Sequence, residues 1–124
     1  MKYLGIDWGE KRIGLALGDS EIKIATPFKT AENADDVLKL ILDEEVDIII
    51  IGKPYQISNI QYPLSNKFNN FLSELKSKIK IPVELIDERL SSKAADALPG
   101  DKKTKASRDE IAAMLILQSW LDKI

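Results

Sequence analysis

The sequence predicts an α/β domain: a mixed five-stranded sheet, made of an antiparallel three-strand meander plus two parallel strands, flanked by helices. Three observations carry this. Short turns join three strand-like segments near the N-terminus. Beyond residue 33, helical and strand periodicities alternate, as in units of strand, crossover helix and parallel strand. No repeat or low-complexity linker divides the 124 residues, so residues 1–124 are read as one domain with a single core.

The elements follow in order. "KYLGIDW" alternates and reads as the first strand; "GEK" supplies a turn and "RIGLALGD" the second strand. "IKIATPF" is the third, ended by Pro27. "NADDVLKLILDEE" has helical spacing at Val37, Leu38, Ile41 and Leu42, with Asn33 as its cap. "VDIIIIGKP" is a continuous β-branched run stopped by Gly52 and Pro54, which suits a strand buried on both faces. After a long connection, residues 55–65, "NKFNNFLSELKSKI" places Phe68, Phe71, Leu72 and Leu75 on one helical stripe. "IPVELIDERL" is the fifth strand. Ser91 or Ser92 caps a short helix, "SKAADAL", which Pro99 and Gly100 break, and "RDEIAAMLILQSWLDKI" is the closing helix.

Composition removes several function classes. No apolar run, neither residues 48–51 nor residues 111–117, is long enough to span a bilayer, so no membrane is expected. Asp7 interrupts the N-terminus before a signal-peptide core could form, which points to a cytoplasmic protein. There is no cysteine, hence no disulfide, thiolate metal site or cysteine nucleophile. There is no histidine, which removes the commonest general base and metal ligand. Any catalysis falls to carboxylates, lysines, hydroxyls and metal ions held by oxygen. The net charge of −2 gives no overall basic signature. A local one exists in "GDKKTKASR", where Lys102, Lys103, Lys105 and Arg108 crowd together; a solvated loop explains it as well as a phosphate contact does.

The N-terminal hairpin is the informative stretch. Alternation puts Leu4, Ile6 and Trp8 on one side of the first strand and Gly5, Asp7 and Gly9 on the other. In the second strand Ile13, Leu15 and Leu17 oppose Gly14, Ala16 and Gly18. One face is bulky and the other nearly bare, with Asp7 standing on it. Glycine within a strand marks close approach of a ligand or another backbone. The closing helix offers that partner through Asp109, Ala112, Ala113 and Ile116. Helix docking alone explains the glycines, and a turn role alone explains Asp7. Together they leave a second acid, Asp109, on the helix face that the bare strand face could receive, with Asp87 and Glu88 near the end of the fifth strand. Clustered carboxylates repel unless a cation neutralises them, and oxygen-only ligands suit Mg²⁺ or Mn²⁺.

These segments resemble the YqgF, or RuvX-like, family. The resemblance rests on "GIDWGEKRIGLALGD", on "GKP" after the fourth strand, on "DERLSS" and on "DEIAAMLILQSWL", and it covers essentially the whole chain. It implies an RNase H-like fold and a metal-dependent nuclease. The implied reaction is phosphodiester hydrolysis in maturing the 5′ end of precursor 16S ribosomal RNA, with resolution of branched DNA junctions as the related activity. It implies Asp7, Glu88 and Asp109 as catalytic metal ligands for Mg²⁺ or Mn²⁺. Arg12, Arg89, Lys102, Lys103, Lys105 and Arg108 fall at its nucleic-acid-binding positions. The implied partner is structured nucleic acid, bound by a monomer or homodimer. One departure stands out: "GKPYQISNIQ" lacks the acid and second glycine of the family's usual loop, and Lys53 replaces an apolar residue.

Two other readings compete. The acid–glycine hairpin also resembles the phosphate-binding hairpin of actin-like ATPases and sugar kinases, but those close two related lobes and this chain has length for one. A non-catalytic RNA- or protein-binding domain would use the acids structurally. Within "DER", alternation places Asp87 and Glu88 on opposite sides of the strand, so one of them at most faces Asp7 unless the strand has ended or bulged. Glu88 is the choice the resemblance favours.

Overall fold

The computed structural model describes residues 1–9, 11–53, 63–87 and 108–124. Five strands, β1 (Lys2–Asp7), β2 (Ile13–Asp19), β3 (Ala25–Ala31), β4 (Ile48–Lys53) and β5 (Val83–Asp87), form one sheet in the order β3-β2-β1-β4-β5. The helices are α1 (Ala34–Asp43), α2 (Pro63–Lys78) and α3 (Arg108–Leu121). β1, β2 and β3 pair antiparallel, and β4 runs parallel to both β1 and β5. This is the predicted mixed sheet. The short helix expected in "SKAADAL" lies outside the described residues.

Each face of the sheet has its own apolar layer. On one, Leu4, Ile6, Ile13, Leu15, Ile49 and Ile51 pack with Val37 and Ile41 of α1 and Phe68, Phe71 and Leu75 of α2. Trp8 joins this layer edge-on to Phe68, with ring centroids 5.5 Å apart. On the other, Tyr3, Ala16 and Ile50 pack under Ala113, Ile116, Leu117 and Leu121 of α3. The isoleucine run of β4 therefore splits between two cores: Ile49 and Ile51 face one, Ile50 the other, and all three are fully buried. A central strand covered on both sides needs no polar alternation.

Two local expectations are corrected. The third strand starts at Ala25 and runs through Pro27, and residues 22–24 belong to the turn before it. The Asp19 carboxylate accepts from Glu21 N at 2.7 Å, and Lys23 N donates to Asp19 O at 2.8 Å, so the turn captures residues that β propensity assigns to the strand. Pro27 is tolerated because β3 is an edge strand whose register slips here: Leu15 pairs with Lys29 but Ala16 with Pro27. Leu42, expected on the apolar stripe of α1, is 77% exposed. Ala34, Val37 and Ile41 occupy the buried centre of that stripe, and Leu42 lies in the last turn on its outer side.

Candidate active site

Asp7 is the last residue of β1. It lies opposite Gly14 of β2 and beside Gly52 of β4, and Gly52 in turn pairs with Ile86 of β5. Residues paired across a sheet share a face. Ile86 packs in the layer under α3, so the row Gly14–Asp7–Gly52–Ile86 looks toward α3. Asp7 thus has a residue without a side chain on either side, which opens space around its carboxylate. The residue is partly buried, and its Oδ1 is shut off from solvent.

Gly14 brings the second acid. A Cβ added there would sit 2.0 Å from the carbonyl oxygen of Asp109, 2.3 Å from its carbonyl carbon and 3.0 Å from its Cβ. Only glycine lets the first turn of α3 rest on β2 at this point. Farther along the helix the same contact repeats. A Cβ on Gly5 would meet Leu117 Cβ at 2.7 Å and the Ala113 carbonyl oxygen at 2.8 Å, and one on Gly18 would meet Leu117 and Leu121. The bare face is the seat of the closing helix, as predicted. The stripe that touches the glycines is Asp109, Ala113, Leu117 and Leu121, with Ala112 partly buried at its margin.

The outcome is that Asp7 and Asp109 lie at one end of the sheet, on one face, beside the same glycine. Asp109 and Glu110 stand in the first turn of α3, where the helix dipole favours negative charge. Arg12 Nε lies 3.7 Å from Asp109 Oδ2, with side chains 68% and 37% exposed respectively. Two carboxylates, in a chain without histidine or cysteine, make an oxygen donor set that fits a hard divalent cation. Among the described residues no group of three or more possible ligands comes together. Glu88, the third expected ligand, lies outside them, as do Arg89, Lys102, Lys103 and Lys105; Arg108 begins α3, but its side chain is outside as well. Gly52, read in the sequence only as a strand stop, proves to be Asp7's neighbour. Its place could have been found by setting the strand end of "IIIIG" beside that of "LGID".

Residues 1–123 match the family described as "RuvX: Holliday junction resolvase". The chain belongs to the RuvX family. A protein of Maridesulfovibrio salexigens named "Putative pre-16S rRNA nuclease" is 36% identical over 132 residues, covering 98% of each chain. A protein of the same name from Methylobacillus flagellatus is 35% identical, covering 96% of this chain and 89% of its own. Among solved structures, T. thermophilus RuvC in complex with a Holliday junction substrate superposes with a TM-score of 0.66 at 14% identity, over 99% of this chain and 94% of RuvC. Fowlpox virus resolvase with its junction DNA gives 0.62 at 12% identity, over 99% and 98%. The RuvX chain therefore has the RNase H-like fold.

Proposed function

We propose that this chain is a cytoplasmic, metal-dependent endonuclease that hydrolyses a phosphodiester bond in precursor 16S ribosomal RNA. The observation that carries the proposal is the contact of Gly14 with Asp109, which sets a helix carboxylate beside the sheet carboxylate of Asp7. The names of the RuvX relatives supply the substrate.

Asp7 and Asp109, with Glu88, would hold Mg²⁺ or Mn²⁺. Bound there, the ion supplies an activated water and charge stabilisation at the leaving oxygen. The protein's own contribution is placement. Asp7 is fixed by pairing to strands on both sides, and Asp109 by a helix pressed against Gly14. If the alternation of β5 continued two residues beyond Ile86, Glu88 would fall on the same face. Arg12, Arg89, Lys102, Lys103, Lys105 and Arg108 would hold the phosphate backbone, which fixes position without reading sequence. Selectivity would then rest on RNA shape and unpaired loops.

The family description favours a second substrate, a four-way DNA junction. The test incubates purified protein with a 5′-extended precursor rRNA fragment and with a four-way junction, in Mn²⁺, Mg²⁺ or chelator. Cleavage of the RNA that chelator abolishes is expected. Cleavage of the junction alone moves the substrate to DNA, and cleavage of neither overturns the enzymatic reading in favour of a binding domain.

A further inference from the structure

The β2 positions that face α3 are Gly14, Ala16 and Gly18, nearly devoid of side chain. Arg12 is the next position of the same alternation, one step past the point where α3 begins. The long side chain appears where the helix no longer needs the space, and its Nε comes within 3.7 Å of Asp109 Oδ2. This is an unfavourable end of the helix for a cation, because the dipole is positive there. What balances Arg12 is the carboxylate of Asp109, in the first turn of that helix and on the face that Asp7 shares. A pair this exposed, joined through one nitrogen at that distance, is weak and readily exchanged.

We infer that Arg12 is a place-holding cation. It neutralises Asp109 in the metal-free protein and gives way when a divalent ion binds the acids. The inference rests on the metal-binding reading above and adds a competitor to it: the ion must displace Arg12, so Arg12 lowers the apparent metal affinity. Arg12 is here a positioning residue, acting through Asp109 before any substrate is present.

The test measures Mn²⁺ binding to the intact protein by calorimetry, without nucleic acid, for wild type, Arg12→Gln, Arg12→Lys, Asp7→Asn and Asp109→Asn. Arg12 is exposed, so its replacement leaves the core intact. Arg12→Gln is expected to tighten Mn²⁺ binding by about two- to fivefold, the factor by which an exposed ion pair competes. Arg12→Lys keeps the charge and should return the affinity toward wild type, whereas both acid variants should weaken it. Unchanged or weaker binding in Arg12→Gln, with both acid variants still weakened, overturns the place-holder and leaves the metal site standing. That result would assign Arg12 to nucleic acid alone. Unchanged binding in both acid variants overturns the metal site and the place-holder together.

Discussion

At residue 14 a single methyl group decides whether two acids can meet. The space an alanine Cβ would need is held by the Asp109 backbone at 2.0 Å, and backbone cannot swing aside as a side chain can. At Gly18 the corresponding neighbours are Leu117 Cδ2 and Leu121 Cδ1, both at 3.0 Å and both at the ends of flexible side chains. Gly14→Ala should therefore destabilise the fold by about 1–3 kcal/mol through overpacking, lowering the melting midpoint by roughly 4–12 °C, and Gly18→Ala by clearly less. Thermal melts of the two variants side by side check the order. Gly14→Ala should also depress cleavage under conditions where it is still folded, because α3 must lift and take Asp109 with it. A second residue-scale contrast concerns "DER". Glu88→Gln should lose Mn²⁺ affinity and cleavage with little change in melting, while Asp87→Asn should mainly lower the melting midpoint. Calorimetry and melting curves of that pair decide the phase of β5, and the reverse pattern would make Asp87 the ligand.

At the scale of elements, α1 shows how local chemistry sets boundaries. Asn33 Oδ1 accepts from Asp36 N at 3.0 Å, and Asp36 Oδ2 accepts in return from Glu32 N at 3.1 Å. At the other end Val46 N donates to Ile41 O and Glu45 N to Leu42 O, the paired bonds of a Schellman cap. Glu45, exposed and with φ of 53°, occupies the left-handed position that favours glycine. Glu45→Gly should relieve that strain and stabilise the protein by about 0.5–1 kcal/mol net of glycine's chain entropy, a rise of roughly 2–4 °C in melting midpoint. A thermal melt of the variant beside wild type checks the sign. The Asn33 cap was legible because capping is a short-range rule about residue type. The glutamate cap was not, since nothing in "DEEVD" marks a positive φ. The same limit explains β3: Ile22 and Ile24 look like strand, but the Asp19 turn claims them and leaves both more than half exposed. A proline read as a stop became an edge-strand residue because its partner strand slips register there.

Over the whole molecule, the sheet order and the docking of α3 decide where the chemistry lies. The two-faced hairpin and the alanine-bearing closing helix were legible in sequence, since period-2 and period-3.6 patterns report burial directly. The approach of Asp109 to Gly14 and to Arg12 was not, because it depends on the axial setting of a helix more than 90 residues away along the chain. Net charge offers no general attraction to nucleic acid, and the proposed function places part of the affinity in the basic segment before α3. Replacing Lys102, Lys103 and Lys105 together with alanine should weaken RNA binding and flatten its salt dependence, by about 0.7–0.9 log units of slope for each phosphate no longer neutralised. A titration at several salt concentrations reads this, and an unchanged slope would mean that these lysines are merely solvated.

We propose that Asp7, rising between two glycines under α3, is the carboxylate on which cleavage depends. The most direct test is Mn²⁺-dependent cleavage of the precursor rRNA fragment by Asp7→Asn, with the melting midpoint recorded on the same preparation. Removing one of two neighbouring acids should leave the midpoint unchanged or raised, and cleavage should fall to the level seen in chelator. A folded Asp7→Asn protein that cleaves at the wild-type rate would contradict the claim.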